Sequence, residues 1–251
     1  LNPLGEEYST MRTQLTTSML TVLSTNFNRK IPAARFFEAS KCFIADTLPL
    51  TEQPHEVPTL SIGMYGDGED FFTLKGVIES IFAAFDVVPT YSVSAEPYLH
   101  PGRQAAATAD GQTLAVFGEV HPQVADKYDL DTRVYVAEVQ ISRLFAIEQK
   151  PIHYKALPRF PAVERDLALL CDASLPVAEI EDSIRKAGGK LLETVKLFDV
   201  YQGSQIEAGK KSVAFSLMFR SGEGTLSDEE IASPLKKIFA ALAEKGCNLR
   251  S

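Results

Sequence analysis

GKKSVAFSLMFR, Gly209 to Arg220, decides the fold of the half of the chain that contains it. Val213, Phe215, Leu217 and Phe219 alternate with Ser212, Ala214, Ser216, Met218 and Arg220, a period of two. A strand points successive side chains to opposite faces, so the first set faces a core. The second set is small and polar and ends in a cation, which suits a face left uncovered.

Outward from this strand the pattern is short and regular. It predicts a strand from Arg165 to Cys171, a helix from Pro176 to Ala187 and a strand from Glu193 to Tyr201. After the strand Lys211 to Arg220 come a helix from Asp228 to Lys245 and a short strand from Cys247 to Arg250. The order is βαββαβ, the ferredoxin-like arrangement. Pro176 stands where a first helical turn tolerates proline, and Gly188-Gly189 supplies a stop. Ser227 and Glu230 have capping-box spacing, whereas Pro234, about two turns into the last helix, conflicts with it. In this fold both helices cover one side of the sheet, leaving the face of Ser212, Ser216 and Arg220 open.

Such a face can hold single-stranded RNA, whose splayed bases stack on aromatic or guanidinium planes while Lys and Arg neutralise phosphates. Lys196, Tyr201, Lys210, Lys211 and Arg220 supply those groups, beside the small polar Ser212 and Ser216. RFPAVERDLALL, Arg159 to Leu170, adds two arginines at the domain entrance. Arg159 lies in the linker, and Arg165 and Asp166 begin the first strand on opposite faces. The competing readings are ordinary solvated edge residues, and a small-molecule regulatory module with the same strand order.

The other half reads as a mostly antiparallel sheet with helices, so the class is α+β. An amphipathic helix is expected from Ser9 to Asn28 and a strand from Ala34 to Ile44. The loop DTLPLTEQPHEVP follows, with three prolines that exclude regular structure, and then a strand from Thr59 to Tyr65. After the polar turn GDGED, FFTLKGVIESIFAAF carries one wide apolar helical stripe. Strands follow at Thr90 to Ala95, Gln104 to Ala109, Thr113 to Val120 and Val134 to Ile141, with Asp110-Gly111 as a hairpin turn. His100-Pro101-Gly102-Arg103 is read as a tight turn presenting Arg103 at a strand start. EQKPIHYKALPRFP, rich in proline, separates domains at 1–148 and 154–251.

Bulk properties exclude several classes. Residues 1–150 hold 11 Lys+Arg and 19 Asp+Glu, and residues 151–251 hold 14 of each, so neither half is a broad basic surface. No apolar run approaches the roughly 18 residues of a membrane span. The start LNPLGEEYSTM has no initiator Met, basic n-region or apolar h-region, which reads as a piece of something longer without a targeting signal. Cys42, Cys171 and Cys247 are scattered and lack CxxC spacing, against a disulfide framework or a zinc site and in favour of a reducing cytoplasm. His55, His100, His121 and His153 show no metal-ligand spacing, so no metal is expected. GDGED lacks the partners of a P-loop or EF-hand, and no GxSxG occurs, so the residues give no case for catalysis.

In order along the chain, Asn2-Pro3-Leu4, MRTQL at 11–15, Phe37-Glu38, FFTLKGVIE at 71–79, HPGR at 100–103 and GEVHP at 118–122 resemble the catalytic-like domain of the bacterial phenylalanyl-tRNA synthetase beta subunit. RFPAVERDLALL, LFDVYQG at 197–203, GKKSVAFSLMFR and TLSDEE at 225–230 resemble that family's ferredoxin-fold anticodon-binding domain, and the likeness runs over essentially the whole chain. The resemblance implies a class II synthetase-like domain without a working active site, followed by a domain that holds the anticodon region of tRNA(Phe). It implies assembly with an alpha subunit that binds ATP and phenylalanine, two of each, and ATP and Mg as cofactors of the holoenzyme only. It places the N-terminal tRNA-binding and editing modules upstream of Leu1, so no cofactor and no editing belong to this stretch.

Overall fold

A computed structural model describes residues 5, 9–148, 151, 154 and 156–250. The Asn2-Pro3-Leu4 motif, His153 and most of the 149–153 boundary segment lie outside the described residues. The chain divides into two compact units, 1–152 and 153–251.

The first unit is built on a six-stranded antiparallel sheet in the order β1-β2-β6-β5-β4-β3. Its strands are β1 (Ala34–Ile44), β2 (His55–Tyr65), β3 (Thr90–Ser92), β4 (Leu99–Ala109), β5 (Gln112–Val120) and β6 (Val134–Val139). Helix α1 (Thr16–Asn28) covers one face with Met19, Leu20 and Leu23 against Tyr65, Leu99, Val134 and Val136. Helix α2 (Phe71–Ala84) covers the other with Leu74, Ile78 and Phe82 against Ile62, Phe117, Ala137 and Val139. Burying each such side chain stabilises by roughly 1.5–3 kcal/mol, so the two apolar stripes fix which faces the helices take. The short helices α3 (Pro122–Lys127) and α4 (Ile141–Ala146) complete the unit.

Four expectations are corrected here. Helix α1 begins at Thr16, not Ser9, because the Glu138 carboxylate captures the free N–H groups of Leu15 and Thr16. Strand β2 begins at His55, inside the supposed loop, and passes through Pro58. At that point β2 pairs with β1 alone, since pairing with β6 starts at Leu60, and a strand with one free side accommodates the missing N–H. HPGR is not a turn before a strand but an irregularity within β4, between the pairs Leu99↔Val120 and Gln104↔Gly118. Helices α3 and α4, each only six residues, lie where too few residues show a period; β6 accordingly ends at Val139.

The second unit comprises β7 (Val163–Asp172), α5 (Val177–Gly188), a 3-10 turn (Gly189–Leu191), β8 (Leu192–Tyr201), β9 (Lys210–Phe219), α6 (Asp228–Glu244) and β10 (Asn248–Leu249). The sheet order is β10-β7-β9-β8, antiparallel throughout, so the α+β class and the βαββαβ arrangement hold. One continuous core takes Leu167, Leu169, Val213, Phe215, Leu217 and Phe219 from the sheet, with Ile180 and Ile184 from α5 and Ile231, Ile238 and Leu242 from α6. Ser227 and Glu230 form the full capping box, and α6 continues through Pro234.

Candidate nucleic-acid interface

Register fixes which side chains share the uncovered face of the second sheet. Residues directly opposite in an antiparallel pair point the same way. Ser216 of β9 therefore shares its face with Asp166 of β7 and Lys196 of β8, and Ser212 shares it with Leu170 and Tyr201. Strict alternation along β8 would put Lys196 and Tyr201, five residues apart, on opposite sides. A bulge between the pairs Leu197↔Phe215 and Asp199↔Ala214 makes Phe198 an extra residue and brings both to the open face. Phe198 itself is 54% exposed on this edge strand. The Tyr201 ring lies over Gly203, where an added Cβ would come within 2.5 Å of the hydroxyl, which accounts for the glycine of YQG.

The nine sequence candidates separate into groups. Lys196 is exposed, and Lys210, opposite Asp172, is half-buried on the same face. Asp172 is held below the usual carboxylate range mainly by hydrogen bonds from Ser174, with Lys210 and Lys211 adding to the effect. Ser216 Oγ donates to Glu164 Oε1 at 2.6 Å. Arg220 reaches back beneath Met218, with Nε on Glu193 Oε2 at 2.8 Å and Nη1 on the Phe160 carbonyl at 2.5 Å. Ser212 is buried and accepts from Arg250 Nη1 at 3.2 Å. Arg159 is exposed in the segment leading to β7.

Two candidates stand elsewhere. Lys211, 7% exposed, occupies an odd-numbered position of β9 with Val213 and Phe215 on the helix-covered side. Its ammonium donates to the Ala173 carbonyl at 3.1 Å and also to that of Leu175, so it closes the turn before α5 and does not face the open side. Arg165 shares the side of Leu167 and pairs with Asp228 in the first turn of α6. The alternation that defines the core already assigned both to the covered side.

Sequence reasoning missed Arg250. It donates its backbone N–H to Ala168 and its guanidinium to Ser212, so it stands over the open face at the sheet's other end. The signal was present, because Asn248 pairs with Leu170 and Arg250 follows two positions later. Also unanticipated is that Glu164 and Asp166 bring carboxylates to the same face. The face is of mixed sign, with Lys196 and Lys210 on β8 and β9 and arginines at its margins.

In the first unit the groups that resemble catalytic chemistry serve structure. Glu138 Oε1 accepts from Leu15 N, Thr16 N and Thr16 Oγ1, each at 2.7 Å, and so caps α1. Beside it, burial and then the Glu138 and Glu96 carboxylates push the Tyr98 hydroxyl well above its ordinary value. The Cys42 thiol is buried and raised mainly by desolvation, an inert state. His100 and His121 accept the N–H groups of Gly102 and Gln123 two residues on. HPGR and GEVHP come together because an added Cβ on Gly118 would lie 2.5 Å from the Arg103 carbonyl. Only glycine lets the β4 irregularity close on β5 and place Arg103 on Glu119 at 3.0 Å.

Comparison with known proteins agrees with this division. Residues 1–141 match the model of the phenylalanyl tRNA synthetase beta chain CLM domain, and residues 158–250 match that of the ferredoxin-fold anticodon binding domain. The chain is 44% identical over 255 residues to the phenylalanine-tRNA ligase beta subunit of Clostridium tetani, covering 99% of this chain and 32% of that protein. The subunit of Symbiobacterium thermophilum is 38% identical over 100% of this chain and 29% of its own length. That of Clostridium acetobutylicum is 39% identical over 96% of this chain and 30% of its own. The chain thus spans about a third of the length of these relatives. A regulatory small-molecule module is not favoured by a match to an anticodon-binding model. With one domain model matching more than half its length and a second matching nearly all the rest, the chain belongs to the phenylalanyl-tRNA synthetase beta-subunit family.

Proposed function

We propose that this chain is a non-catalytic part of phenylalanine-tRNA ligase, a cytoplasmic enzyme of translation. In this reading residues 1–148 pack against the alpha subunit in an assembly of two alpha and two beta chains. Residues 154–251 hold the anticodon region of tRNA(Phe). ATP is bound by the alpha subunit and Mg belongs to the holoenzyme, and Glu138, committed to capping α1, takes no part in chemistry.

The observation that carries the RNA-binding half is the uncovered sheet face, to which the β8 bulge brings both Tyr201 and Lys196, with Asp199 between them, Lys210 and Arg250 at the Tyr201 end and Arg220 at the other. Stacking surfaces and phosphate partners within one face are what an unpaired loop requires. The test is binding of a tRNA(Phe) transcript to the chain, alone and against a transcript with its anticodon loop exchanged. Cognate binding that falls on exchange, with protection of Tyr201 and Lys196 from chemical modification, is the expected result. Equal affinity for both transcripts, or protection confined to α5 and α6, would reject the assignment.

A further inference from the structure

The outer edge of the second sheet carries apolar surface that its core does not use. Along β8 the core reaches Val195, which is 6% exposed and whose carbonyl accepts from Arg185 of α5 at 3.1 Å. Beyond it, Leu197 and Val200 lie by register on the same side as Phe215 and Val213, yet they are 38% and 46% exposed. Phe198, the extra residue of the bulge, has no partner on β9 and is 54% exposed. Among the described residues no aromatic ring and no cation pairs with its ring. Apolar side chains gathered in water on one short stretch forgo the gain of burial, and such a patch marks a surface that meets another molecule.

The neighbours of the patch decide the kind of molecule. An edge strand can take up a strand of another protein along a regular ladder of free N–H and C=O groups, but the bulge breaks that ladder at Phe198. A nucleobase needs no ladder, only an exposed ring with cations within reach of its phosphates. Lys196, two residues earlier, is exposed, and Lys210 stands on β9 near the Tyr201 end. Asp199, next to Phe198 and on the open face, repels phosphate, so the group that settles against the ring is the uncharged base and not the backbone. An unpaired loop splays out more than one base, and every base has a face that stacks on a phenyl ring.

We propose that Phe198 is a second stacking platform for an unpaired base of the anticodon loop, on the strand that carries Tyr201, with Leu197 and Val200 as the apolar margin around it. The proposal rests on the RNA-binding reading above. The extra residue of the bulge then acts twice: it brings Lys196 and Tyr201 to one face, and it offers its own ring at the edge of the sheet.

The test uses the whole chain, which contains no Trp, with a tRNA(Phe) transcript. Phe198→Ala should weaken binding roughly 5- to 150-fold, the range for loss of one base–aromatic stack, and leave the slope of log affinity against log salt unchanged, because the ring carries no charge. Phe198→Trp should bind within about twofold of wild type and give a single-Trp chain whose fluorescence is quenched as the transcript is added. If Phe198→Ala does not fold, the fluorescence of Phe198→Trp decides. Binding by Phe198→Ala within about twofold of wild type, or fluorescence that the transcript leaves unchanged, would overturn the stacking role while the reading on Tyr201 and Lys196 stands. A slope reduced by about one in Phe198→Ala would also overturn it, since the loss would then come from a displaced cation. Undiminished tRNA binding by Phe198→Ala together with weaker association with the alpha subunit would assign the patch to a protein contact instead. Failure of the wild-type chain to distinguish the cognate transcript from one with its anticodon loop exchanged would overturn the RNA-binding reading and this proposal together.

Discussion

The Lys211 ammonium closes a turn on the covered side of β9, while Lys210, its neighbour in sequence, faces the open side opposite Asp172. Their charges are alike and their consequences differ. Lys211→Met removes the donor for the Ala173 and Leu175 carbonyls, and leaving them unmatched should cost about 1–3 kcal/mol in urea denaturation. The same variant should leave the salt dependence of tRNA binding as it was. Lys196→Ala should do the reverse, keeping the unfolding midpoint and reducing the slope of log affinity against log salt by about one. A variant of Lys211 that changed the slope without changing stability would return it to the binding face. Arg220 lies between these cases, since its guanidinium is held by Glu193 and the Phe160 carbonyl and any phosphate must compete with them.

At the scale of elements, caps and bulges decide positions that apolar periodicity alone does not. The Glu230 carboxyl is held below its ordinary 4.5 by the Ser227 backbone N–H and then by the Ser227 hydroxyl. A depressed folded-state value adds stability above 4.5 that is lost as pH falls through the depressed value. Ser227→Ala should lower the unfolding midpoint at neutral pH by a few degrees, about 2–5 °C. The gap between variant and wild type should narrow on acidification below 4.5; a constant gap would mean that the box acts through Ser227 alone. The capping box was legible because its two side chains have a fixed spacing. So was the core face of β9, because its four apolar residues alternate with five small or polar ones without interruption. The bulge at Phe198 was not, since an extra residue leaves no mark in a run as apolar as Leu197, Phe198 and Val200. Its consequence, Tyr201 on the same face as Lys196, appears only through pairing with β9. The start of α1 was hidden for a different reason: its cap, Glu138, lies more than 120 residues away in sequence.

For the whole molecule, the distribution of charge limits how nucleic acid can be held. Residues 1–150 carry a surplus of eight acidic groups, 19 against 11, and residues 151–251 carry none, so no long-range field draws a polyanion to this chain. In the proposed mode binding comes from local contacts. Lys196, Lys210, Arg220 and Arg250 stand on or at the margin of the open face, with Arg159 on the approach to β7. Four or five phosphate contacts, at about 0.7 to 0.9 counterions each, give an expected slope of log affinity against log salt of about −3 to −4.5. In the proposed mode Asp199 opposes phosphates on β8, and the pair Glu164 and Asp166 does so along β7. Replacing both with Gln and Asn should therefore strengthen binding of an exchanged anticodon loop more than of the cognate one, narrowing selectivity while leaving the slope near its wild-type value. Titration of both tRNA transcripts over a salt series measures this. A gain equal for the two transcripts would mean that these carboxylates tune affinity alone, and that discrimination lies with Tyr201 and the groups around it.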